Sequence, residues 1–98
     1  MKTSHDIMNI LISRRPEISG RFRIREIGLF GSYAKGTERG SSDVDILVDF
    51  EDGFKTFDNY MELKFYLEDF LMCKVDLVLK GALKKRLSQR ILSEVKNV

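Results

Sequence analysis

From Asp43 to Phe50 the side chains alternate without a break, and that period of two specifies a β-strand. Val44, Ile46, Val48 and Phe50 fall on one side and read as core. Asp43, Asp45, Leu47 and Asp49 fall on the other. Three carboxylates therefore share one face, and those of Asp43 and Asp45 emerge about 7 Å apart at Cα. Like charges so placed either front open solvent or share a cation. Mg²⁺ suits them, because it takes hard oxygen ligands and keeps positions free for water and phosphate.

Two other segments bear on that choice. Ile24 to Phe30 reads as an earlier strand and runs straight into Gly31-Ser32, with ten residues between Ser32 and Asp43. Ser32 to Lys35 suits one helical turn stopped by Gly36, and a strand feeding such a turn aims free backbone N–H groups at one point. Gly31 lets a phosphate approach the backbone, and the Ser32 hydroxyl can donate to it. Alone, a Gly-Ser pair is a turn and nothing more. Lys74 to Leu79 alternates as a third strand, with Val75, Leu77 and Leu79 opposed to Asp76 and Val78. A charge in mid-strand is costly if buried without a partner. If this strand lies beside the second, Asp76 joins the first two carboxylates, where it could ligate an ion and take a proton from an attacking hydroxyl. Phosphate-cradling N–H groups and metal-holding carboxylates are the two requirements of phosphoryl and nucleotidyl transfer.

Helices fill the remainder. Thr3 or Ser4 can cap a first helix carrying Ile7, Met8, Leu11 and Ile12, expected to end at Arg14-Arg15 before Pro16. A polar segment around Ser19-Gly20 would follow. Thr56 caps a second helix, Phe57 to Leu71, whose Phe57, Tyr60, Met61, Leu67, Phe70 and Leu71 recur at helical spacing and read as core. Gly81 breaks the third strand, and a last helix from about Leu83 shows Leu87, Ile91 and Val95 four apart.

Size and composition set limits. The chain has 98 residues, enough for one domain, and 43% apolar residues with seven Phe support a core. The longest apolar run is too short to span a bilayer, and the N-terminus lacks the apolar stretch of a secretory signal. One cysteine, Cys73, excludes an internal disulfide and fits a reducing cytoplasm. It reads as a small apolar filler rather than a catalytic thiol. Charge is segregated: residues 1–42 hold eight Lys/Arg against four acids, 43–76 three against ten, and 77–98 six against one. An acidic middle repels phosphate unless metal sits in it; with metal bound, the flanking basic residues could meet a polyphosphate or an acidic partner.

The residues from Leu29 through Gly31-Ser32-Tyr33-Ala34-Lys35-Gly36, the loop, and Ser42-Asp43-Val44-Asp45 through Val48 resemble the signature of minimal nucleotidyltransferases. These are the smallest members of the DNA polymerase beta-like nucleotidyltransferase superfamily. The likeness also takes in Pro16-Glu17-Ile18 and Val75-Asp76-Leu77-Val78. It implies that Gly31 and Ser32 bind the triphosphate of ATP, that Asp43 and Asp45 ligate a pair of Mg²⁺ ions, and that Asp76 is the third carboxylate. Lys35 stands where the family usually has Arg, which keeps the charge but loses bidentate phosphate geometry. The resemblance further implies a HEPN-domain toxin as partner, silenced by transfer of AMP to one of its tyrosines.

The expected fold is therefore α+β: residues 1–98 as one nucleotidyltransferase domain, a small mixed sheet flanked by helices packed mainly on one face. The expected reaction is Mg²⁺-dependent nucleotidyl transfer by a cytoplasmic antitoxin. Its alternative is an antitoxin that neutralises by binding alone, its acidic cleft a docking surface. Transfer to RNA or a small molecule is the third option, with no acceptor-binding domain to support it. Tyr33 can stack on the base or pack beside its turn. His5 is expected to face solvent. Lys84-Lys85-Arg86 and Arg90 read as the wet side of the last helix, and no interleaved aromatics argue for nucleic acid.

Overall fold

The structure, a computed structural model, describes residues 3–31, 43–83 and 85–98, with side chains in the last stretch described from residue 88. Helix α1 (Ser4–Phe22) opens on a reciprocal cap, in which the Thr3 hydroxyl accepts from the Asp6 N–H and the Asp6 carboxylate accepts from the Thr3 N–H. The helix does not stop at Pro16; it runs through it. Ile7, Leu11, Ile18 and Phe22 form one buried stripe on both sides of the proline, and burying its second half outweighs the lost hydrogen bond. Pro16 and Ile12 lie on the exposed side, so the orphaned Ile12 carbonyl can turn to water. A side-chain hydrogen bond from Arg15 to Ser19 spans the same turn, and the polar segment expected at Ser19-Gly20 is helix. Arg23, in the left-handed conformation (φ 57°), ends it.

Strands β1 (Ile24–Phe30) and β2 (Val44–Phe50) form where the sequence places them, and they pair antiparallel. The register slips between Ile24 and Glu26, so both Arg25 and Glu26 are exposed. Arg25 there meets Asp49 and Asp52, and Glu26 meets Lys80 at 2.6 Å. Helix α2 (Phe57–Leu71) begins at Thr56, whose hydroxyl accepts from the Asn59 N–H. The Asn59 side-chain amide donates to the Phe22 and Phe54 carbonyls, tying the start of α2 to the end of α1. Helix α2 then crosses back so that β3 (Val75–Leu79) lies parallel to β2. Its core stripe is Leu63, Leu67 and Leu71. Phe57, expected inside, is 77% exposed because it sits in the first turn, beyond the reach of the sheet.

A 3₁₀ turn (Lys80–Ala82) separates β3 from α3 (Lys85–Glu94), which starts slightly later than expected. Val95 lies beyond the helix, leading into a two-residue strand β4 (Lys96–Asn97) that no sequence pattern announces. The sheet order is β3-β2-β1-β4, with only the β2–β3 pairing parallel. Buried residues of α1 and α2 pack with Ile24, Ile27, Leu29, Val44, Ile46, Val48, Phe50, Val75 and Leu77 in one core. The two main helices thus cover one face of the mixed sheet and leave Asp45 and Asp76 on the other.

Candidate active site

The site is built where three strands end side by side. Across the sheet, Phe30 of β1 pairs with Asp45 of β2, and Asp45 pairs with Asp76 of β3. Because side chains alternate, this row projects away from the α1–α2 core. Phe30 is buried and forms an apolar border, Asp45 is half-buried, and Asp76 is exposed. The conditional expectation about the third strand is met: it neighbours the second, and the register sets Asp76 directly against Asp45.

Gly31 follows at once. Its φ of +73° is left-handed, and a Cβ there would sit 2.9 Å from the Asp45 Cγ. Any side chain at this position would be both strained and in collision with the carboxylate. Gly31 therefore leaves room for the Asp45 carboxyl to approach the backbone at the end of β1.

The electrostatics follow from that crowding. Partial burial, the charge and hydrogen bond of Asp76, and the charge of Asp43 push the Asp45 carboxyl up to about 6. Asp45 and Asp76 are close enough to share a proton. Asp43, exposed just before β2, belongs to the same field. Among the described residues, no three His, Cys, Asp or Glu side chains form a ready-made metal cage. The pair Asp45–Asp76 offers hard oxygens of like charge, a donor set that fits Mg²⁺ by its chemistry.

Ser32, Tyr33 and Lys35, with the helical turn and loop expected around them, lie outside the described residues. Other candidates stand apart from the row. His5 is exposed beside the start of α1, and Cys73 is half-buried in the turn before β3. Arg90 lies beside Glu94 at 3.7 Å on the outside of α3.

Two contacts beside Asp76 went unread in the sequence. On the outer edge of β3, the Glu68 carboxylate accepts from the Val75 N–H at 2.9 Å. The Tyr60 hydroxyl donates to the Leu77 carbonyl at 2.5 Å. Both side chains belong to α2, where the helical spacing reads Tyr60 as core and says nothing of Glu68. Only the strand's position at the sheet edge shows what they bind.

Comparison with known proteins identifies the family and the fold. A family model described as a nucleotidyltransferase domain matches residues 11–98. The chain is 45% identical over 95 residues to the protein adenylyltransferase MntA of Thermococcus cleftensis, covering 97% of this chain and 95% of that protein. A solved structure described as a minimal nucleotidyltransferase superposes with a TM-score of 0.78 at 34% identity, over 92% of this chain and 94% of its own. A toxin–antitoxin structure with AMP-PNP gives 0.72 at 29% identity, over 87% and 69%. A chain from the complex of tri-AMPylated Shewanella oneidensis HEPN toxin with MNT antitoxin gives 0.67 at 25%, over 97% and 71%. Matched over most of its length in both sequence and fold, the chain belongs to the nucleotidyltransferase-domain family.

Proposed function

We propose that this nucleotidyltransferase is a Mg²⁺-dependent protein adenylyltransferase that moves AMP from ATP to a tyrosine hydroxyl of a partner HEPN-domain toxin, and so acts as its antitoxin. The supporting observation is the row Asp45–Asp76 set against Gly31, where carboxylates and a side-chain-free backbone meet at one end of the sheet. The kinship with MntA and with toxin–antitoxin structures supports the protein acceptor and the nucleotide. Residues 1–98 form one catalytic domain in this reading, working in the cytoplasm. None of the described helices is long and apolar enough to cross a membrane.

In the reaction, the tyrosine oxygen attacks the α-phosphorus of ATP. A new P–O bond forms as the bond to the bridging oxygen breaks, and pyrophosphate leaves with that electron pair. Asp76 accepts the hydroxyl proton. Gly31, by lacking a side chain, admits the β- and γ-phosphates to the backbone, with Ser32 donating to them and Lys35 adding positive charge. Asp43, Asp45 and Asp76 would hold Mg²⁺, which would supply positive charge to neutralise and orient the phosphates. The proton that Asp45 retains up to about pH 6 marks how strongly this spot calls for positive charge.

The test is transfer of label from α-labelled ATP to a cognate HEPN-domain protein. Label is expected on a toxin tyrosine, dependent on Mg²⁺ and lost in Asp45→Asn. Equal labelling by that variant and the wild type would refute the assignment. Full suppression of toxicity by the double variant Asp43→Asn, Asp45→Asn at wild-type abundance would leave binding alone as the mechanism.

A further inference from the structure

Asp76 stands on an edge strand, and among the described residues no strand neighbours its outer side. Edge strands fray, because their outward N–H and C=O groups lack ladder partners. A carboxylate that must meet a metal ion and an attacking hydroxyl within a fraction of an ångström gains nothing from a strand that moves. The outer edge of β3 is nevertheless occupied on both sides of Asp76. The Glu68 carboxylate accepts from the N–H of the preceding residue, Val75, and the Tyr60 hydroxyl donates a hydrogen bond to the carbonyl of the following one, Leu77.

We infer that Tyr60 and Glu68 are positioning residues for Asp76: two clamps from α2 that fix the backbone bearing the third carboxylate. The inference rests on the catalytic role proposed for Asp76. The geometry is specific. N–H and C=O groups of alternate residues point to the same side of a strand, so Val75 and Leu77 both face outward while the β2 ladder holds the inner side. Leu63, Leu67 and Leu71 seat α2 in the core, so the clamps are mounted on a rigid element. The turn from Leu71 to Val75 is short, and Met72 completes it in the left-handed conformation (φ 56°), leaving little slack between clamp and strand. Neither side chain reaches the face where substrate would lie; each acts only through the strand.

Three variants separate this role from packing. Tyr60→Phe keeps the ring and removes the donor. Glu68→Ala removes the acceptor, whereas Glu68→Gln retains a carbonyl oxygen in its place. In Mg²⁺-dependent AMP transfer to the HEPN-domain protein, Tyr60→Phe and Glu68→Ala should each lower kcat about tenfold, with KM for ATP changed less than about twofold. Glu68→Gln should restore most of the loss. Amide hydrogen exchange on the unliganded protein gives a readout free of catalysis, with faster exchange expected along residues 75–78 in Tyr60→Phe and Glu68→Ala but not in Glu68→Gln. Asp76→Ala is the reference. If it loses transfer while Tyr60→Phe and Glu68→Ala keep wild-type kcat and exchange, the positioning role is overturned and the catalytic reading survives. If Asp76→Ala transfers AMP like the wild type, the catalytic reading falls and this one with it.

Discussion

Asp45 carries the strongest electrostatic signal among the described residues. Its folded-state proton affinity is raised, from 3.8 to about 6, by partial burial and by Asp76 and Asp43. A carboxyl with a raised folded pKa favours the folded state fully below its unfolded pKa, and that support is lost as pH climbs through the folded value. In the metal-free protein, then, Asp45 weakens the fold progressively from about pH 4 to above pH 6. Asp45→Asn should be more stable than the wild type at pH 8 by about 1–2 kcal/mol, allowing for solvent screening of a half-exposed group. The gap should close by pH 4. Chemical denaturation in EDTA at the two pH values measures it, and a constant gap would contradict burial and carboxylate repulsion as its origin. At this scale the sequence is highly legible: two aspartates at alternate positions and a glycine after a strand are visible as letters. The close approach of the Asp45 carboxyl to Gly31 is not, because it depends on a positive φ and a cross-strand register that no local pattern encodes.

Elements are legible where local pattern and tertiary packing agree. Helix α2 carries its own start at Thr56, and β2 and β3 announce themselves by alternation. Helix α1 shows the opposite case. Proline argues for a stop after Arg15, yet Ile18 and Phe22 continue the buried stripe set by Ile7 and Leu11. The packing term wins, but the local cost remains in the fold. Pro16→Ala should therefore stabilise the protein by about 1–3 kcal/mol, the cost of an interior helical proline less the entropy that proline removes from the unfolded chain. Thermal unfolding should show a Tm several degrees higher. Transfer activity should be unchanged, since Pro16 is exposed on α1, across the sheet from Asp45 and Asp76.

For the whole molecule, the least legible feature is how the last residues close the sheet. Lys96 and Asn97 show no alternation, but they pair with Leu29 and Gly28 on the outside of β1. Gly28 is what admits them. A Cβ at that position would lie 2.5 Å from the Val95 Cγ2 and 3.2 Å from the Lys96 carbonyl. Gly28→Ala should therefore push Val95 out and loosen β4, at a cost of about 1–3 kcal/mol. The checks are a fall in Tm and faster amide exchange at Val98, whose N–H donates to the Ile27 carbonyl at 3.0 Å. By spacing alone, Val95 is one more rung of a helical stripe. Only the completed sheet gives it the place left by a missing side chain, on the strand edge that faces away from β2 and the acidic row.

The parallel pairing of β2 with β3 bears on the timing of synthesis. Asp45 and Asp76 meet only after the polypeptide between them has wound into α2 and returned. A nascent chain still lacking β3, or a product cut within α2, has its glycine turn and first aspartates in hand but no complete acidic row. With Asp76 in the role proposed above, such a fragment would not transfer AMP, and competence would come late, when the ribosome has released enough chain for β3 to pair with β2.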